Sequence, residues 1–149
     1  MKLIDINKDN WLKVVSLTTN KGDMPTLCEE FVASNVLSIV QAQYENSWTK
    51  KAIEDDGEII GFTMYGFDEE ESYFELCRIM IDKRFQGRGY GSKAMNLVID
   101  EMKKLDGCKE IYLSTDPQNE IGKHIYEKLG FINTGKIIDD EELFCLKFY

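Results

Sequence analysis

Between Ser72 and Met95 the chain reads SYFELCRIMIDKRFQGRGYGSKAM, and this stretch limits the fold more tightly than any other. Tyr73 to Ile81 is rich in aromatic and β-branched residues and ends in the apolar run Ile79-Met80-Ile81, the pattern of a mostly buried strand. Asp82-Lys83-Arg84-Phe85 turns the chain. Gln86-Gly87-Arg88-Gly89-Tyr90-Gly91 comes next, and apolar Ala94, Met95, Leu97, Val98, Ile99 and Met102 then recur at helical spacing. A strand, a glycine-rich turn and a helix in succession gather backbone N–H groups at a helix N-terminus. Free donors and the helix dipole both favour a phosphate or pyrophosphate there. The spacing GxGxG is neither the dinucleotide pattern GxGxxG nor the phosphate loop GxxxxGK, and such a turn also serves as a plain strand-to-helix connection. Local charge favours the anion. No acidic residue occurs from Lys83 to Ile99, while Lys83, Arg84, Arg88 and Lys93 are cationic in a chain of net charge −9.

Upstream, Lys2-Leu3-Ile4-Asp5-Ile6 alternates as a short first strand. Asp9 or Asn10 can cap a helix beginning at Trp11, with Trp11, Val14, Val15 and Thr18 on one face, and Lys21-Gly22-Asp23-Met24-Pro25 breaks it. A second helix is expected from Glu29, or from Ser34-Asn35 as a cap, through Gln43, with Val36, Ile39, Val40 and Gln43 recurring. Trp48–Ile53 and Ile59–Phe67 read as strands around the turn Glu54–Glu58, where Gly57 supplies positive φ, and Gly61 and Gly66 break the second strand. Asp68–Glu71 is an acidic turn into the central strand. After the helix, Asp106-Gly107 ends the segment and Ile111–Ser114 forms a short buried strand. A helix then runs from about Glu120 to Leu129, stopped by Gly130. Phe131–Lys136 and Leu143–Phe148 make a last hairpin across Asp139–Glu142. The order β-α-α-β-β-β-α-β-α-β-β predicts an α/β (α+β) fold, a mixed sheet with helices on both faces, as one domain over residues 1–149.

Gln86-x-x-Gly89-x-Gly91 directly after an apolar strand resembles motif A of the GNAT acetyltransferase superfamily, Q/R-x-x-G-x-G/A, and the element order matches that fold over nearly the whole chain. Arg78–Asp82 with FQGRGYG, and FVASNVLSIVQAQY (Phe31 to Tyr44), are similar to bacterial spermine/spermidine acetyltransferases within it. The resemblance implies a single mixed, mostly antiparallel sheet of about seven strands flanked by about four helices. The fourth and fifth strands splay apart, and the CoA arm enters the gap. It implies acetyl-CoA as co-substrate, with the turn Gln86, Gly87, Arg88, Gly89, Tyr90, Gly91 and Ser92 on the pyrophosphate. The backbone of Ile79, Met80 and Ile81 is then offered to the pantetheine arm. Asn119 resembles an asparagine that contacts the pantetheine amides, a role compatible with an N-cap. Lys128, with Lys123, either adds charge for the phosphates or is a solvated helix lysine.

Acetyl transfer to an amine needs a neutral nucleophile, a stabilised oxyanion and a protonated leaving thiolate; no covalent enzyme intermediate is required when the amine is held close. Ile125-Tyr126-Glu127-Lys128-Leu129-Gly130-Phe131 resembles the family ending Y-x-x-x-G-F, whose tyrosine lies near the CoA sulfur. Tyr126 is the expected general acid, because a phenol with pKa near 10 is protonated at neutral pH; packing before the helix stop is its other reading. Polyamine acetyltransferases often carry a carboxylate two residues before the apolar triplet, where this chain has Cys77. Glu75, on the same strand face, is the candidate base, or else a solvated edge charge. Cys77 reads as a small buried residue, with no His or second Cys placed to activate it, and His124 as a surface histidine.

The resemblance implies a small primary amine as acceptor, spermidine or spermine first, and a pI of about 4.7 is compatible with a cationic substrate. A protein N-terminus, an amino acid or an antibiotic amine are alternatives, and a non-catalytic acyl-CoA sensor is the rival of another class. The acidic turns Glu54–Glu58, Asp68–Glu71 and Asp139–Glu142 read first as charges that solvate the chain; the alternative is that one of them, near Asp139, attracts the distal ammoniums of a polyamine. The same acidity argues against nucleic acid. MKLIDINKDN has no apolar h-region and no stretch reaches membrane-spanning length, so a cytoplasmic protein with no membrane partner is expected. Cys28, Cys77, Cys108 and Cys145 are scattered without a CxxC, and there is a single histidine; neither a metal site nor a disulfide framework is expected. By analogy within the superfamily, a homodimer would use the C-terminal run Leu143–Tyr149 as its edge.

Overall fold

Tight turns decide the strand order. The hairpin between β2 (Trp48–Asp55) and β3 (Glu58–Asp68) closes at Asp56-Gly57 with φ of 50° and 80°, and two positive φ values in a two-residue loop match the right-handed twist of the flanking strands. Asp139-Asp140, at 49° and 65°, do the same between β6 (Ile132–Ile138) and β7 (Glu141–Lys147). The computed structural model describes residues 1–20 and 34–149, and among these one seven-stranded sheet runs in the order β1-β2-β3-β4-β5-β7-β6. β1 (Lys2–Asp5), β2, β3 and β4 (Tyr73–Ile81) pair antiparallel in succession, β5 (Glu110–Thr115) lies parallel to β4, and β7 is antiparallel to both β5 and β6. The C-terminal strand is therefore internal, and the sheet edges are β1 and β6. This corrects the expectation that Leu143–Tyr149 offers an edge to a second copy.

Among the described residues, four α-helices cover the two faces. On one, Val14 of α1 (Trp11–Val15) and Ile39 and Ala42 of α2 (Asn35–Tyr44) pack on Ala52, Phe62, Met64 and Met80. On the other, Met95, Val98, Ile99 and Met102 of α3 (Tyr90–Met102), Ile125 of α4 (Glu120–Lys128) and Leu129 just after it pack on Leu76, Ile111, Leu113 and Phe144. The first helix ends earlier than expected, and Trp11, placed on one face with Val14 and Val15, is half exposed. Asn10 stands at its N-cap without capping it; its Oδ1 accepts from Asn7 N and its Nδ2 donates to Asp5 O. Ser34 does cap α2, accepting from Leu37 N. The expected break Lys21–Pro25, the alternative helix start at Glu29, Phe31–Ala33 and Cys28 lie outside the described residues.

Gly61 and Gly66 do not break β3. Both lie within it because neighbouring backbone approaches closely: a Cβ would stand 2.4 Å from Met80 O at Gly61 and 2.0 Å from Ser47 O at Gly66.

Two irregularities in β4 open the sheet and re-aim its side chains. Its register with β5 contains one pair, Glu75 with Tyr112, so the two strands part beyond it and Leu76–Ile81 has no partner on that side. Its register with β3 slips between Met64 and Tyr65, leaving Cys77 as an extra residue. Across this bulge Leu76 and Ile79 face α3, while Cys77 packs toward α1 and α2 and Arg78 Nη2 donates to Asn35 Oδ1 on α2 at 3.0 Å.

Candidate active site

The glycine-rich turn is built by local chemistry. Asp82, 2% exposed, ends β4 and accepts from Arg84 N and Thr18 N at 3.0 Å each and from Arg84 Nε at 2.7 Å. Burial alone would raise its pKa; the bonds from Arg84 and Thr18 outweigh it and hold the carboxyl below its usual range. A single 3₁₀ turn at Lys83–Phe85 comes next, with the guanidiniums of Arg84 and Arg88 5.2 and 5.9 Å from the centroid of the Phe85 ring. Gln86 Nε2 donates to Ile81 O at 3.0 Å and closes the turn on the strand end. Gly87 and Gly89 have φ of 76° and 78°, and Gly89 is the N-cap of α3 with no side-chain cap. The first N–H groups of α3 are left to an outside acceptor. Tyr90 opens the helix, and the nearby Asp55 carboxylate of β2 raises its pKa. Gly91 and Ser92 complete the first turn, Ser92 exposed. Arg88 and Lys93 are exposed beside them.

From this turn the parting of β4 and β5 forms an opening. Ile79, Met80 and Ile81 line it; Met80 turns its main chain toward β3, while Ile79 and Ile81 turn theirs toward β5, where the Ile81 carbonyl is already taken by Gln86. The opening ends at the Glu75–Tyr112 pair, where Tyr73 stacks on Tyr112 with centroids 4.4 Å apart. Glu75 is half-buried there, and burial, the charge of Asp68 and a hydrogen bond with it, and the charges of Glu141 and Glu71 push its pKa up to about 7. It is not a solvated edge charge. Cys77, on the same face, is pushed up to about 12 by burial and by Glu75, so its thiol stays protonated as expected of a packing residue.

The other wall belongs to α4. Asn119 caps it, Oδ1 accepting from Gly122 N at 3.1 Å, while its Nδ2 donates to Thr115 Oγ1 at 2.9 Å. Tyr126 is half-buried against Phe131 and Phe144. Burial raises its pKa, the Glu141 charge adds to this, and a hydrogen bond from Thr115 opposes it. Glu75 and Tyr126 thus share one electrostatic neighbour, Glu141. Lys128 is exposed on the last turn of α4, and His124 is exposed too. Lys123 is not a solvated lysine. Its ammonium contacts Glu120 and Glu142 and donates to Pro117 O, binding α4 to β7.

Sequence reasoning missed the grouping of Asp68, Glu71 and Glu141 around Glu75, because the Asp68–Glu71 turn and the distant β6–β7 hairpin supply it together. It also missed Thr115, whose only signal is a hydroxyl four residues before the capping asparagine.

The sequence profile described as the Acetyltransferase (GNAT) family matches residues 21–131. The spermine/spermidine N(1)-acetyltransferase of Bacillus subtilis (strain 168) is 25% identical over 138 residues, covering 89% of this chain and 88% of that protein. In fold, a spermidine N-acetyltransferase chimera from Vibrio cholerae superposes with a TM-score of 0.74 at 18% identity, covering 99% of this chain and 96% of that one. A Bacillus subtilis acetyltransferase in complex with CoA gives 0.69 at 13% identity, over 99% and 97% of the two chains.

Proposed function

The chain belongs to the GNAT acetyltransferase family and is an N-acetyltransferase, and from that premise we propose that it moves the acetyl group of acetyl-CoA to a primary amine of a polyamine, spermidine or spermine first. The grouping of Asp68, Glu71 and Glu141 around Glu75 carries this reading. An ammonium is favoured there, whereas the carboxylate of an amino-acid acceptor is repelled by three like charges. The resemblance to a spermine/spermidine N(1)-acetyltransferase points the same way.

The residues fit the acyl donor. Uncapped N–H groups at Tyr90, Gly91 and Ser92 and the cations Arg88 and Lys93 suit its pyrophosphate, and the open edge of Ile79–Ile81 suits an amide-bearing arm. Lys128 and Asn119 lie on α4, the second wall. Glu75, titrating near neutral pH, takes a proton from the acceptor ammonium, directly or through water, so that the free amine attacks the thioester. Tyr126, held protonated by burial, gives its proton to the departing sulfur. The whole of residues 1–149 acts as one catalytic domain in this reading, working in the cytoplasm.

Thiol release from acetyl-CoA, measured against spermidine, spermine, putrescine and anionic amines such as aspartate, tests the proposal. Release with the polyamines alone supports it. Release with aspartate in preference to polyamines overturns the acceptor class, and failure to bind acetyl-CoA overturns the donor.

A further inference from the structure

Tyr73 and Tyr112 meet at the closed end of the opening, where β4 and β5 last pair. Ile111 and Leu113 pack in the core under α3 and α4, so Tyr112 between them points to the opposite face of the sheet. Tyr73 and Glu75 point the same way, alternating with Phe74 and Leu76 of that core. Glu75 and Tyr112 are partners in register, and the Tyr73 ring stacks on that of Tyr112 with centroids 4.4 Å apart and planes 27° from parallel. Both rings are half-buried, and neither packs into the apolar cores of the described residues. Tyr112 is also tied down. Its hydroxyl donates to Glu110 Oε1 at 3.0 Å, while Glu110 Oε2 accepts from the Tyr149 hydroxyl at 3.3 Å and lies 3.6 Å from the Lys147 ammonium. With its one proton given to Glu110, the ring has its π surface left for a ligand.

We propose that Tyr73 and Tyr112 are specificity-determining residues of the acceptor site: their stacked rings form a fixed aromatic wall beside Glu75 that seats the internal ammonium of a polyamine and so separates polyamines from plain diamines of the same length. This rests on the reading of the acceptor as a polyamine with Glu75 as its base. A π face attracts an alkyl ammonium, and ring carbon accepts the methylenes on either side of it. In spermidine the next ammonium is three methylenes from a terminal nitrogen, about 5 Å in extended form. Neighbouring positions on one face of two paired strands are roughly 5–7 Å apart, so a chain with its reacting nitrogen at Glu75 brings that ammonium to the rings. A ring pair braced by Glu110 meets it without having to be ordered first.

The test compares spermidine with 1,8-diaminooctane, which has the same chain length and a methylene in place of the internal ammonium. Wild-type kcat/KM should favour spermidine about tenfold. Tyr73→Leu and Tyr112→Leu should each bring that ratio close to one by raising the KM for spermidine, with the KM for acetyl-CoA unmoved, and Tyr73→Phe, which keeps the ring, should hold it within about twofold of wild type. The wild-type ratio decides by itself if a leucine variant does not fold. Equal turnover of the two amines by wild type, or a ratio that the leucine variants leave intact, overturns the wall while leaving a polyamine as acceptor. Turnover of neither amine, with acetyl-CoA bound, overturns the acceptor reading and the wall with it.

Discussion

The two faces of the sheet hold their working parts in different ways. On the α3–α4 face nearly every restraint is local. Gln86 reaches Ile81, Gly89 caps the helix it precedes, and Asn119 bonds Thr115 and Gly122. On the α1–α2 face the restraints join distant residues: Thr18 to Asp82, and Asn35 to Val14 and Arg78. A local restraint survives motion of its neighbours. A long-range one fails when either partner moves, so the acceptor side is the more sensitive to substitution in the core.

The largest effect expected on either face is at Glu75. Glu75→Gln should lower kcat with spermidine about 100-fold or more, and the rise of the wild-type rate through about pH 7 should disappear. Stability should move the other way. The folded pKa of about 7 exceeds the ordinary 4.5, so the folded state holds this proton more tightly than the unfolded chain. Wild-type stability is then full below the ordinary carboxylate range and falls as pH climbs through about 7. Glu75→Gln should exceed wild type by up to about 2 kcal/mol near pH 8 and match it near pH 4 in denaturant melts. A variant that is slow but no more stable at the higher pH would break the picture of a carboxylate crowded by its neighbours.

Next in size is the local counterpart. Gly89 has φ of 78°, which a β-branched residue adopts only with strain. Gly89→Val should weaken coenzyme A binding roughly 10- to 100-fold by calorimetry, with the melting temperature little changed. Retained affinity would mean that the first turn of α3 is not what holds the ligand.

The same division explains what could be read from the chain. The strand Tyr73–Ile81, the glycine turn, α3 and the Asn119 cap arise from residues within one short window, and all appear where the sequence places them. Glu75 was legible as a candidate, but its environment was not, since the Asp68–Glu71 turn and Glu141 of the last hairpin meet there only in the folded chain. The bulge at Cys77 was hidden because a register slip depends on the partner strand. Asn35 was read as part of a cap; it is instead a buried link, donating to Val14 O at 3.0 Å and accepting from Arg78. Asn35→Ala should cost about 2 kcal/mol of stability in denaturant melts, since it removes the hydrogen bond to the Val14 carbonyl and the one from Arg78. A loss below about 0.5 kcal/mol would show that α1, α2 and β4 are held together by apolar packing alone.

The smallest effect tests the phase of α2. The spacing of Val36, Ile39, Val40 and Gln43 predicts one buried stripe, yet the helix buries Asn35, Ser38 and Ala42, with Ile39 alone of the predicted set against the core. Small and polar residues face inward because Asn35 must reach Val14 and Arg78, and this fixes the rotation of the helix. Val36 and Val40 are left 52% and 49% exposed. Val40→Ser should therefore change stability by less than about 0.5 kcal/mol, whereas Ile39→Ala should cost about 2 kcal/mol. Equal costs at the two positions would mean that α2 is rotated toward the stripe its sequence suggests, which would pull Asn35 away from Arg78 and undo the long-range link that distinguishes this face.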